Sequence, residues 1–169
     1  AGGYAGTGSP SMIGADTRPA AAANGGSHEV TREQIATMAE RLAARLKEQP
    51  DDAEGWLLLG RSYMVLDQPE QAVTAYERVA KLRPDDAAAL TDYADALAMK
   101  NGRDLAGEPL KLIERALKIE PGNLKALMLA GTAAFNRQDY ATAVSYWDRM
   151  PQFGPPDDPL VQSAAAGAA

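Results

Sequence analysis

The chain has 169 residues, with 17 Lys and Arg against 23 Asp and Glu, for a formal net charge of -6. That balance excludes a nucleic-acid binder, which needs a basic face, and a polybasic membrane-surface module. Cysteine is absent and His28 is the sole histidine, which excludes disulfides, thiolate or multi-histidine metal sites and covalent haem attachment.

Nine of the Gly and Pro residues fall within 1–27, a stretch with only two charges and no apolar period. Residues 1–28 are therefore read as a flexible leader. Helical signals begin at Thr31, which forms a capping box with Gln34. Ile35, Met38, Ala39, Leu42 and Leu46 then recur at helical spacing, so a helix is expected over 31–49, ended by Pro50.

Internal repetition follows. Pro50-Asp51-Asp52 returns as Pro84-Asp85-Asp86 and, more loosely, as Pro121-Gly122-Asn123, at spacings of 34 and 37; a further 34 leads to Pro155. The Asp or Asn after each Pro is placed to cap the next helix. Trp56-x-x-Leu59-Gly60-x-x-Tyr63, Ala72-x-x-x-Tyr76 and Pro84 match the 34-residue tetratricopeptide (TPR) helix-turn-helix pattern. Gly60 and Ala72 are small, so the paired helices can approach. The third unit carries Leu127, Ala130, Gly131, Ala134, Ala143 and Trp147 at matching offsets. The second carries Leu90, Tyr93, Ala94, Leu97, Ile113 and Ala116, with a three-residue insertion in the turn Asn101–Pro109. Helices are expected at 53–66, 69–82, 87–100, 109–119, 124–136 and 140–150. The first helix, 31–49, reads as a half-repeat cap. The fold class is thus all-α: three TPR units plus the capping helix, over 29–155, in a short right-handed superhelix. The tail 156–169 is expected to be partly disordered, with a frayed last turn at most.

His28 reads as a solvated residue at a junction. The Asp pairs 51/52 and 85/86 read as helix caps, and Trp56, Tyr76 and Trp147 as core. No phosphate loop, nucleophile-base pair or metal-ligand spacing stands in the sequence, so neither an enzyme nor a cofactor is expected.

The order of motifs resembles the periplasmic TPR domain of the CcmI/CycH cytochrome c-type biogenesis family, and is similar to the nitrite reductase assembly factor of the NrfG kind. The residues that carry it are Trp56–Tyr63, Tyr93–Leu97, the enlarged turn 101–109, Ala116–Leu127 and Ala134–Tyr140, closing on Tyr146-Trp147. The resemblance implies a non-enzymatic apocytochrome c holder. Its partners would be the C-terminal helix of the apocytochrome and the haem-ligation machinery of the inner membrane. It also implies a periplasmic location, with a tether outside this sequence and no direct membrane contact by this chain.

In stacked TPR units the first helix of each pair lines the inner face, at offsets five, nine, twelve and thirteen. Those are Leu57, Arg61, Met64 and Val65; Thr91, Asp95, Ala98 and Met99; Met128, Thr132, Phe135 and Asn136. The candidate peptide contacts are Leu57, Arg61, Met64, Thr91, Asp95, Met128, Thr132, Phe135 and Asn136. Met and Phe there suit an apolar helix face, and Asp95 is expected to favour a basic residue on the ligand. A carboxylate clamp of the heat-shock chaperone type is disfavoured, because its Lys and Asn positions hold Leu57, Arg61 and Asp92. The alternative function is a structural scaffold joining folded subunits of an envelope complex.

Overall fold

The computed structural model describes residues 30–168. The leader 1–28, with His28, lies outside the described residues. Eight α-helices run through the rest: α1 Arg32–Glu48, α2 Ala53–Val65, α3 Pro69–Leu82, α4 Ala87–Lys100, α5 Glu108–Ile119, α6 Leu124–Asn136, α7 Tyr140–Arg149 and α8 Pro159–Ala168. A short 3-10 turn, Met150–Gln152, follows α7. No strand occurs among the described residues. The first seven helices lie within two residues of their expected bounds.

The repeated Pro-Asp boundary starts helices as expected. Asp52, Asp86 and Asn123 accept from the backbone N–H three residues on, at 3.0, 3.1 and 2.9 Å. Thr31 and Gln34 complete the capping box on α1. Each cap satisfies N–H groups that have no partner within the helix.

The pairs α2/α3, α4/α5 and α6/α7 form hairpins, and each packs on the next. Size matching sets their approach. A Cβ on Gly60 would lie 2.7 Å from the Tyr76 ring, so only hydrogen leaves room for the ring. Gly131 stands in the same relation to Trp147, whose indole a Cβ would overlap. Both pairs are sixteen residues apart. The second unit uses Ala94 and Ile113 at those places, both fully buried in one cluster. Tyr76 also shares a cluster with Ala89 and Ala96 of α4, which ties the first unit to the second.

The hairpin turns need one left-handed residue. Asp67 (φ 58°) and Gln138 (φ 66°) occupy this position in the first and third units. The enlarged turn of the second unit uses Gly102 (φ 71°) and Arg103 (φ 70°) and drops Leu105 into the core. Pro109 does not break helix here: it sits buried in the first turn of α5, where its missing N–H costs nothing.

The tail differs from expectation. Residues Pro159–Ala168 form α8, capped by Asp158 (2.8 Å to the Leu160 N–H). Val161 and Ala164 are buried, Ala164 in one cluster with Trp147 and Met150, and the helix packs on α6 and α7. They stand 34 residues beyond Leu127 and Ala130, so α8 takes the place of the first helix of a fourth unit.

Candidate functional site

The first helices of the units, α2, α4 and α6, stack side by side, and their shared face carries the candidate site. A row of charges links them. Arg61 of α2 reaches Asp92 of α4 at 3.4 Å, and Lys125 of α6 reaches Asp92 and Asp95, each at 3.0 Å. Burial pulls the Lys125 ammonium down, but Asp92 and Asp95 outweigh it and hold its pKa above the ordinary value. Behind the row, burial lifts the Tyr76 hydroxyl well above the usual phenol range, and Asp92 adds to that. Burial also pushes Tyr93 up to about 12, helped by Glu77 and Glu108.

Asp95 therefore has its cation within the molecule. The expectation that it waits for a basic ligand residue is corrected: Lys125 occupies it. Leu57 is only 8% exposed and packs with Ala72, Val73 and Tyr76. Thr91 is 1% exposed, and its hydroxyl donates to the Ala87 carbonyl at 2.8 Å. Both lie inside the stack rather than on an open surface, because the neighbouring helix covers offset five in the first two units. In the third unit the same offset holds Met128, which stays half-buried.

The accessible candidates are Arg61, Met64, Asp95, Met128, Thr132, Phe135 and Asn136. Thr132 turns its hydroxyl back to the Met128 carbonyl at 2.9 Å. Phe135 is 49% exposed and meets Tyr140, 53% exposed, edge to face with ring centroids 5.1 Å apart. Trp147 lies behind Phe135 at 6.0 Å. Its indole N–H donates to the Met128 carbonyl at 3.3 Å. The face is thus a neutralised charge row followed by an apolar aromatic ledge.

Asp92, Lys125 and Tyr140 belong to this face and escaped the sequence reading. The two charges sit at offsets six and two, outside the four used to pick the face. Tyr140 opens α7, and the left-handed turn at Gln138 folds it back onto Phe135. A sequence signal existed: two aromatics flank a tight turn at a separation of five.

A family model for the cytochrome c-type biogenesis protein H TPR domain matches residues 19–161. Over 130 residues the chain is 37% identical to cytochrome c-type biogenesis protein CycH of Pseudomonas aeruginosa, covering 77% of this chain and 32% of that protein. It is 25% identical over 117 residues to the formate-dependent nitrite reductase complex subunit NrfG of Escherichia coli O157:H7, covering 69% and 59%. The fold is similar to the crystal structure of MamA, with a TM-score of 0.66 at 17% identity over 85% of this chain and 90% of that one. The chain spans about a third of the length of CycH. With the matching repeats and the enlarged second turn, these findings show that the chain belongs to the TPR domain family of cytochrome c-type biogenesis protein H.

Proposed function

We propose that this chain is a non-enzymatic holder of apocytochrome c, seating the amphipathic C-terminal helix of the apocytochrome along the shared face of α2, α4 and α6. The observation that carries the reading is the Phe135–Tyr140 ledge. Two half-exposed rings stand together at the end of the inner face, with half-buried Met128 beside them and Met64 further along. Flexible Met side chains and a paired aromatic edge adapt to the apolar stripe of a helix. The charge row is satisfied internally, so apolar contact dominates affinity, and the ion pairs set the register of the inner helices. Membership of a cytochrome c biogenesis family supports the choice of an apocytochrome as ligand. In this reading the chain works on the periplasmic side of the inner membrane, tethered there, and hands its ligand to the haem-ligation machinery.

The test is a titration with synthetic peptides of c-type cytochrome C-terminal helices. Phe135→Ala and Met128→Ala should each weaken binding about tenfold or more, as truncation of large apolar anchors does. Circular dichroism serves as the folding control. Wild-type affinity in the double variant overturns the inner-face reading. Binding of folded partners alone, with no peptide bound, assigns the chain to scaffolding instead.

A further inference from the structure

Each inner helix after the first is seated against its predecessor. The first, α2, has none among the described residues, and among these its seat is open. On α2 the residues Glu54, Leu58, Arg61 and Val65 recur at spacings of four, three and four, so they share one stripe. All four are exposed, Leu58 at 48% and Val65 at 58%. In α4 the residue equivalent to Leu58 is Asp92, and there the preceding inner helix covers it through Arg61.

The facing side of α1 has changed in the same direction. At the places where outer helices meet their inner partners, the three units hold Ala72, Pro109 and Ala143, then Val79, Ala116 and Met150, all buried. At the equivalent places α1 holds Met38 and Arg45, both exposed. A cleft of about 270 Å³ runs between α1 and α2, lined by Met38, Arg41, Leu42, Arg45 and Leu58. Its floor is apolar and its only charges are two arginines. The adjoining cleft is mixed in charge: Asp52 and Glu54 line it with Arg45 and with Arg61, which Asp92 engages. Glu54 is engaged by Arg83. Arg45 meets Asp52 at 3.5 Å with both side chains solvated, a pair that exchanges easily. Arg41 forms no ion pair among the described residues.

A cap that served solubility alone would be polar at Met38, Leu58 and Val65. An ordinary preceding unit would place a small, buried residue at 38 and a buried apolar one at 45. The arrangement fits neither. It fits a helix that brings an apolar stripe to Met38, Leu42 and Leu58 and carboxylates to Arg41 and Arg45. We propose that the cleft between α1 and α2 docks an acidic amphipathic helix of a partner protein, which continues the stack of inner helices by one. This site is separate from the Phe135–Tyr140 ledge and takes a ligand of different chemistry, so it stands apart from the apocytochrome reading. Arg41, which has no ion pair among the described residues, and the exposed Arg45 give this cleft a positive wall in a chain of net charge -6.

The experiment uses the full chain and two synthetic helical peptides with the same Leu stripe, one flanked by Glu and one by Lys. Fluorescence anisotropy should show the Glu peptide binding at least about tenfold more tightly at low salt, with the difference shrinking as salt rises. Arg41→Glu combined with Arg45→Glu should abolish or reverse the preference, and Leu58→Ser should weaken the Glu peptide. Phe135→Ala with Met128→Ala should leave it unchanged. Circular dichroism checks folding of each variant, and Arg41→Gln alone, at an exposed unpaired position, gives a milder version. Equal affinity for the two peptides overturns the proposal. So does indifference of the Glu peptide to the arginine substitutions, or its loss in the Phe135 and Met128 variant. Dimerisation abolished by Leu58→Ser would assign the cleft to a second copy. A photocrosslinker at position 58 that captures residues 1–29 under saturating peptide would assign it to the chain's own leader. Either result overturns the acidic partner.

Discussion

The helices that flank the three hairpins are of opposite kind, and they pack differently. On the C-terminal side α8 stands at the place of an inner helix. It buries Val161 and Ala164, packs on α6 and α7 and brings Gly167 to within about 3.0 Å of the Trp147 ring for any Cβ placed there. On the N-terminal side α1 is an outer helix with no inner partner among the described residues. It buries Ala39, Leu42 and Leu46 on the α2 and α3 side but leaves Met38 and Leu58 at an open cleft. One end closes the core with the chain's own residues. The other holds back apolar surface and surrounds it with arginines. Among the described residues the three hairpins are thus flanked unequally, closed on one side and cleft on the other.

The strongest way to break the comparison is at the closed end. Trp147 is the ring against which Gly131, Phe135 and α8 are fitted. Trp147→Ala removes the partner of three elements at once. It should cost about 3–5 kcal/mol, the range for a buried Trp or Phe truncation. Denaturant unfolding should show the loss as a fallen midpoint, and α8 should become protease-sensitive. A stability within about 1 kcal/mol of the parent would show that the C-terminal end is not sealed through this ring.

A smaller effect separates equivalent positions. Ala72 is fully buried where α3 approaches α2, and Met38 is its counterpart on α1. Ala72→Leu inserts side-chain volume into a close-packed contact and should cost about 1–3 kcal/mol. Met38→Leu changes shape at an open cleft and should leave the melting temperature where it was. Equal responses at the two positions would show that α1 is packed like any other outer helix.

Much of this was legible in the amino-acid order, because it is local. The Pro-Asp boundaries name the caps, and the Gly60–Tyr76 and Gly131–Trp147 pairs name the close approaches within a hairpin. What escaped depends on the stack. Leu57 and Thr91 fall at an offset that looks outward on a single helix, but the next unit covers it. The Arg61–Asp92–Lys125–Asp95 row joins three helices at separations of about thirty residues, and no period announces it. The helix α8 hides in an Ala-rich, Gly-bearing tail, with only Val161 and Ala164 to mark a buried face. Its register, set by Pro155, was visible; its packing was not.

The smallest effect sharpens the comparison most. Met38→Ser with Leu58→Ser removes apolar side chains that are 45% and 48% exposed. Neither fills space between packed helices, so truncation creates no cavity. Surface substitutions of this kind change stability by about 0.5 kcal/mol or less each. The same two changes at buried counterparts would carry a transfer cost and a cavity cost together. Leu42 beneath them remains and keeps α1 docked, so helicity should also hold. The double serine variant should therefore melt within a few degrees of the parent while exposing less apolar surface to a hydrophobic dye. A marked loss of stability would mean that Met38 and Leu58 support each other across the cleft, and that the N-terminal end is closed after all.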